Sequence, residues 1–392
     1  MQPDNVKSLG RSSEDMVGLR TRVAFLTDIP SPYINEVLRA LAQKVDLTCL
    51  FCSDTSTRGM PWQFGQQLGF RYTVVGGMVV RRRDADGIDY YVSPRIFWHL
   101  IRVRPSVIIS GMFSFPTLYG WLYAKLFGAK LFIFSDGTAR SERKLSWLQR
   151  VARKFLLPRA VGCIAQSVPA AERFKELAPT KPIFVAPHTT NLSPFLEIAT
   201  IRNWSARPEL RLLTVGRLIK GKGIHHLVRA LAQMPSTYRP VHLTVVGSGP
   251  EEGPLKALAE SCHLKNIKFS GFVDQAQLPA FYADADVFVF PTLGDTFGIS
   301  MLEAAASGLA LVASSEAGAT NDLITNDEIG LVFDPRDETT LATQIALLAD
   351  NHDIVVSMGR AAHGLARERT ADRAADGYLS AIRDTSTAGR PK

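Results

Sequence analysis

Between Ala285 and Gly308 the chain passes through a strand-like run, a Pro/Gly turn and a helix start. Ala285-Asp-Val-Phe-Val-Phe290 is apolar apart from one Asp and rich in β-branched and aromatic residues, which favours a buried strand. The chain then turns through Pro and Gly from Pro291 onward and enters a segment of good helix formers that runs toward Gly308. A strand feeding a helix through such a turn leaves backbone N–H groups and a positive dipole end free for phosphate. Asp295 and Glu303 stand eight residues apart on the turn and the helix. Both face one crevice if the turn folds back over the helix start. The plainer alternative makes Asp295 a cap and Glu303 a solvated helix residue.

The same alternation fills the rest of the chain. Arg22 to Thr27, Val45 to Cys52, Val107 to Gly111, Lys130 to Phe134, Ala160 to Ile164 and Pro182 to Ala186 read as strands, with helices at 34–42 and 118–127. The stretch from about Leu192 to Pro208 shows no clear period and is expected to connect two domains. Beyond it the alternation restarts with Leu210 to Val215, and the end, Thr340 to Ile382, is helical with a break near Asn351. An α/β chain of two parallel-sheet domains follows, spanning 21–191 and 209–370, with a leader at 1–20 and a last helix at 371–392 expected to pack back on the first domain.

Composition narrows the class. Hydrophobic residues make up 46% and charged residues 21%, the profile of a globular chain. Four scattered cysteines do not make a disulfide framework, and Cys49-Leu-Phe-Cys52 lacks a second metal-ligand pair, so buried thiols in a reducing cytoplasm are expected. Residues 1–190 hold 26 Lys and Arg against 14 Asp and Glu, whereas 191–392 hold 19 against 23. A basic first half suits an anionic lipid surface or a phosphate-linked acceptor. No nucleic-acid motif accompanies the charge, and nucleic acid is not the expected partner. Arg81-Arg-Arg83 and a basic amphipathic helix at 140–159 are the expected membrane contacts, at the inner face of the plasma membrane; a core-packed helix with a charged outer face would give 140–159 the same pattern. Arg58, Trp62 and Phe64 form a second group able to grip a sugar or phosphate.

Ligands of open α/β sheets sit beyond the carboxyl ends of the strands. Asp136 occupies such an end. So does Gly216-Arg217-Leu218-Ile-Lys220-Gly-Lys222-Gly223, whose glycines admit a close ligand and whose Arg217 and Lys222 can neutralise a diphosphate. Gly271-Phe272-Val273 is placed to hold a nucleobase against backbone groups.

Arg217, Lys222, Asp295, Phe297, Gly298 and Glu303 follow one another in a recognisable order. Val215 to Gly223 reads V-G-R-L-x-x-x-K-G, Val246 to Pro250 reads V-G-x-G-P, Gly271 to Val273 reads G-F-V, and the acid pair ends the series. In these motifs the chain resembles the family 4 retaining glycosyltransferases of GT-B fold, strongly over 205–382 and more weakly over 20–200. The resemblance implies two Rossmann-like domains facing across a cleft, and a UDP- or GDP-linked sugar as substrate with no metal or other cofactor. It implies that Arg217, Lys222 and the backbone near Phe297, Gly298 and Ile299 bind the diphosphate, that Glu303 holds the ribose and that Asp295 contacts the sugar. The implied acceptor is a glycan or lipid-linked hydroxyl.

The chain departs from the family's pattern at Asp295, where Glu is usual. It also departs at Asp136, which stands where a histidine is common, and near Ile109 to Gly111, where another histidine is absent. Pro30-Ser-Pro-Tyr33 replaces a glycine pair, as in a subgroup that makes bacterial surface polysaccharides. The rival reading is a nucleotide-sugar-binding protein without catalysis.

Overall fold

A computed structural model describes residues 20–53, 68–80, 90–111, 113–235 and 238–387. All but the last residue of the leader expected at 1–20, the Arg58, Trp62 and Phe64 group and the Arg81 to Arg83 cluster lie outside them. The first half contains β1 (Arg22–Thr27), α1 (Pro32–Lys44), β2 (Asp46–Phe51), β3 (Arg71–Val74), β4 (Met78–Val80), β5 (Tyr90–Val92), α2 (Arg95–Val103) and β6 (Val107–Gly111). It continues with α3 (Phe115–Phe127), β7 (Lys130–Ser135), α4 (Trp147–Leu156), β8 (Gly162–Ala165), α5 (Val168–Leu177) and β9 (Ile183–Val185). The second half follows as α6 (Ser193–Ile201), β10 (Leu210–Val215), α7 (Ile224–Ala232), β11 (Val241–Val246), α8 (Glu252–Ser261), β12 (Ile267–Phe269) and α9 (Leu278–Asp284). It ends with β13 (Val287–Phe290), α10 (Ile299–Ala306), β14 (Ala310–Ser314), α11 (Thr320–Leu323), β15 (Gly330–Phe333), α12 (Glu338–Asp350), α13 (His352–Arg367) and α14 (Ala371–Thr387).

Two parallel sheets result, ordered β3-β2-β1-β6-β7-β8-β9 and β12-β11-β10-β13-β14-β15, with β4 and β5 as a small antiparallel pair. In each large sheet the strand order reverses once, at β1/β6 and at β10/β13. These switch points are where an open sheet leaves a crevice. Helices cover both faces of both sheets, which is why strands such as Val287–Phe290 are apolar throughout.

Three stretches differ from their sequence expectation. Residues 192–208, expected to be a connection without periodic structure, contain α6. Its Phe195 and Ile198, with Leu192 just before it, enter the core of the second half. Arg202 behind it donates to the carbonyls of Tyr282, Ala285 and Ser307 at 2.7, 2.6 and 3.1 Å. The helix is short and mostly apolar, so no polar face marked its period.

The basic stretch 140–159 is not one helix. It divides into a 3-10 turn at Ser141–Lys144, then α4, then a second turn at Leu157–Arg159. Ser146 and Gln149 form a capping box that starts α4 afresh, and Pro158 follows its end. The helical end carries a second break at 368–370, before α14.

That last helix returns to the first sheet. Tyr378 sets its ring against Phe25 and Phe134 at 5.7 and 6.1 Å, and Ala374, Ala375 and Ala381 complete the contact. The approach is close enough that a Cβ on Gly377 would lie 2.2 Å from the Val185 carbonyl oxygen. Alanine ordinarily stabilises a helix interior relative to glycine by about 1 kcal/mol. Gly377→Ala should instead cost about 1–3 kcal/mol by overpacking. Gly364→Ala in α13, where the added Cβ meets nothing within 4 Å, should give the ordinary gain. Denaturant melts of the two variants check this opposition of sign.

Candidate active site

The walls of the crevice are loops at the carboxyl ends of strands from both sheets. On the second-half side, the loop after β10 is fastened to the loop after β13. Leu293 N–H and the Thr292 hydroxyl both donate to the Gly221 carbonyl, at 2.8 and 3.1 Å. Gly223 makes the crossing feasible: its φ is +66°, and a Cβ there would lie 1.9 Å from the Pro291 carbonyl oxygen.

This fastening brings Lys222 to Asp295, with which it forms an ion pair, partly buried on both sides. The Lys222 ammonium also lies 5.5 Å from the centre of the Phe290 ring. The Asp295 backbone is fixed from behind, where Gly318 N–H donates to its carbonyl at 3.0 Å. Arg217, partly buried on the same loop as Lys222, makes no ion pair with any described residue. Gly216 closes the strand end, its N–H donating to the Val246 carbonyl at 3.0 Å.

Gly298 is the N-cap of α10, with φ +107° and no side-chain capping bond. Met301 N–H donates to the Gly298 carbonyl at 3.0 Å, which leaves the amides of Ile299 and Ser300 for an anion. Phe297 beside it is buried. The loop carrying Gly271, Phe272 and Val273 is tied to this group through Gly247, whose N–H donates to the Gly271 carbonyl at 2.8 Å. Phe272 is exposed, while Val273 packs onto the core.

Glu303 is not a solvated helix residue. It is 3% exposed, and the Tyr282 hydroxyl donates to its Oε2 at 2.8 Å. Burial raises its carboxyl to about 7, against the opposing effect of the Tyr282 hydrogen bond. Tyr33, in the first turn of α1, lies close enough to Glu303 and Asp295 for both carboxylates to act on it. Burial first, and then those charges, push its phenol up to about 12.

The first-half side adds His188, which follows β9. Its ring stacks on Phe297 with centres 4.9 Å apart and planes 22° apart. Burial holds its imidazole below the usual value even though Asp136 and Asp295 both act to raise it. Asp136, just past β7, lies near enough to His188 for its charge to act on the imidazole.

Tyr33, His188 and Tyr282 had not been singled out in the sequence. His188 was legible by the strand-end argument that selected Asp136, since it lies just past the strand at Pro182 to Ala186. Tyr282 carried no signal, because its role depends on how α9 packs against α10. Among the described residues no group of three or more His, Cys, Asp or Glu could hold a metal, and Cys49 and Cys52 are buried and unlinked.

The two facing α/β sheets with this crevice are the GT-B architecture. Residues 201–364 match the family model "Glycosyl transferases group 1", so the resemblance drawn from the motifs holds over the second half. A GDP-mannose-dependent alpha-(1-6)-phosphatidylinositol monomannoside mannosyltransferase of Mycobacterium tuberculosis is 34% identical over 175 residues, covering 40% of this chain and 45% of that protein. The putative colanic acid biosynthesis glycosyltransferase WcaL of Escherichia coli is 30% identical over 144 residues, covering 35% of each. The chain thus spans less than half the length of these curated relatives. Among solved structures, Anabaena Alr3699/HepE in complex with UDP superposes with a TM-score of 0.73 at 18% identity, over 93% of this chain and 100% of that one. The lipopolysaccharide outer core galactosyltransferase WaaB, in its apo form, gives 0.68 at 15%, over 93% and 99%. These likenesses extend the fold to nearly the whole chain.

The buried carboxyl makes a stability prediction. Folded Glu303 keeps its proton to about pH 7, whereas the unfolded side chain releases it near 4.5, so folding takes up a proton between those values. Stability from this group therefore falls as pH rises through that window. Glu303→Gln, which cannot ionise, should be more stable than the parent at pH 8 by on the order of 1–3 kcal/mol and no more stable at pH 4. Melting temperatures across pH would show the two curves diverging upward from acid, and parallel curves would contradict the buried-acid reading.

Proposed function

We propose that this chain is a cytoplasmic retaining glycosyltransferase. It moves a sugar from a UDP- or GDP-linked donor to a hydroxyl of a lipid-linked or polysaccharide intermediate. The observation that carries the reading is that the β10 loop, which bears Arg217 and Lys222, is fastened beside the β13 loop, which leads into the uncapped start of α10, at two neighbouring strand ends. Two cations and a row of amides suit a diphosphate.

The donor's diphosphate carries more negative charge than one carboxylate, so it displaces Asp295 from Lys222. Asp295 is then free to accept hydrogen bonds from the sugar hydroxyls, and the ion pair keeps Lys222 in place until the donor arrives. Glu303, beneath the start of α10, receives the ribose hydroxyls. Gly271, Phe272 and Val273 border the nucleobase.

In the transfer step the acceptor oxygen bonds to the anomeric carbon as the bond from that carbon to the β-phosphate oxygen breaks. The acceptor proton passes to a phosphate oxygen of the leaving diphosphate. Charge grows on that diphosphate in the transition state, where Arg217, Lys222 and the α10 amides are already oriented toward it. In this reading they supply the positive charge without a divalent ion. Asp136 and His188 line the acceptor's side of the crevice.

Lys222→Ala and Arg217→Ala should each remove about 2–4 kcal/mol of transition-state stabilisation and so lower kcat/KM roughly 30- to 10³-fold, with the fold retained. Transfer assays with UDP- and GDP-sugars, preceded by thermal shift to choose the donor, provide the measurement. Near-parental rates in both variants would overturn the assignment. Donor binding without any turnover in the parent protein would favour the non-catalytic binding reading instead.

A further inference from the structure

The structure exposes a surface that the crevice does not use. Helices α2, α3 and α4 lie side by side over one face of the first sheet. Phe97 of α2 meets Tyr123 of α3 at 6.4 Å, and Trp121 of α3 meets Phe155 of α4 at 5.0 Å. Their inner sides fill the cores beneath with Leu26 and Ile108 and with Ile133 and Cys163, so their outer sides share one direction.

Those outer sides are unusually apolar. Trp98 is 66% exposed on α2, Leu126 and Phe127 are 61% and 57% exposed on α3, and Trp147, Leu148 and Val151 are 71%, 56% and 52% exposed on α4. Single exposed apolar residues are ordinary, but a set spread over three adjacent helices marks an interaction surface.

Charge identifies the partner. The three helices contain Arg95, Arg102, Lys125, Arg150, Arg153 and Lys154, and no Asp or Glu. The nearby Glu142 is buried and occupied by Arg153 and Arg173 at 2.6 and 2.9 Å. Arg153 is thus taken up by Glu142, and a face of tryptophans, aliphatic side chains and the remaining cations is what an anionic bilayer surface attracts. A symmetric contact with a second copy through this face would set like charges against each other.

We infer that the outer sides of α2, α3 and α4 together adsorb to an anionic lipid membrane. The basic 140–159 stretch pointed to a membrane from sequence, but α4 is only ten residues long. The two helices beside it supply the remaining area. Helices returning from parallel strands begin at the strands' carboxyl end, so α3 and α4 start at the crevice rim. Adsorption would hold the crevice opening level with the lipid headgroups, within reach of a lipid-linked acceptor.

Vesicle sedimentation tests the surface without using the transfer reaction, so its failure leaves the enzymatic reading untouched. The full chain should sediment with phosphatidylglycerol vesicles and not with pure phosphatidylcholine, and should release as salt is raised. The variant Trp98→Ser/Leu126→Ser/Trp147→Ser, and separately Arg95→Gln/Arg150→Gln/Lys154→Gln, should each weaken vesicle binding about tenfold or more. Their circular-dichroism melts should match the parent, because the altered side chains are exposed. Absence of binding, equal binding to both lipids, or full binding by both variants would overturn the inference. A concentration-dependent dimer abolished by the same apolar substitutions would overturn it in favour of self-association.

Discussion

The arrangement depends on two parallel sheets being held with their strand carboxyl ends toward one gap. Helix α14 does much of that work. It follows the second half yet buries Tyr378, Leu379 and Ile382 in the first-half core. Hydrogen bonds near the chain crossing add to it. Asp322 accepts from Val168 N–H at 3.2 Å, and Arg369 donates to the Asp322 carbonyl at 2.7 Å. The Thr189 hydroxyl returns a bond of 2.5 Å to the Arg369 carbonyl. These contacts lie beside α5 and the segment that carries His188. They therefore set how far His188 reaches toward Phe297, and hence how the two walls face each other.

Within the gap, charge is arranged economically. Lys222 is neutralised by Asp295, Glu303 holds its proton to about pH 7, and burial favours a neutral His188. Arg217 is the cation of the group without an ion-pair partner among the described residues. A buried unpaired charge is costly, and most of these groups avoid it by pairing or by holding their neutral form. Under the proposed function, an incoming diphosphate would meet one uncommitted guanidinium, one exchangeable ammonium and the first amides of α10. Pairing and neutralisation thus leave the positive charge concentrated where a phosphate would sit.

Much of this was readable from residue order. Strands such as Arg22–Thr27, Val107–Gly111 and Leu210–Val215 are specified by local apolar runs. The Gly-rich turns after them marked the strand ends that line the crevice. What stayed hidden depends on long-range packing. Glu303 could not be distinguished from a solvated helix residue until Tyr282 was seen to cover it, and α6 lacked a polar face to reveal its period. Strand β15 (Gly330–Phe333) is short and half-buried, so its place at a sheet edge rests on pairing with β14 rather than on its own residues.

The Lys222 and Asp295 pair also gives physical meaning to the departure from family pattern at that position. The pairing requires the carboxylate to reach an ammonium anchored on the β10 loop, and the aspartate does so with its backbone tied to Gly318. A glutamate would add one methylene at a point where the backbone is already fixed from behind. Its carboxylate would then extend past this lysine position or fold back toward it at a cost in side-chain entropy. The shorter acid thus fits a crevice in which the lysine's resting partner is set by the backbone rather than by side-chain reach. Under the proposed function the sugar would then have to come to the aspartate, which would link donor preference at this position to the depth at which the diphosphate is seated.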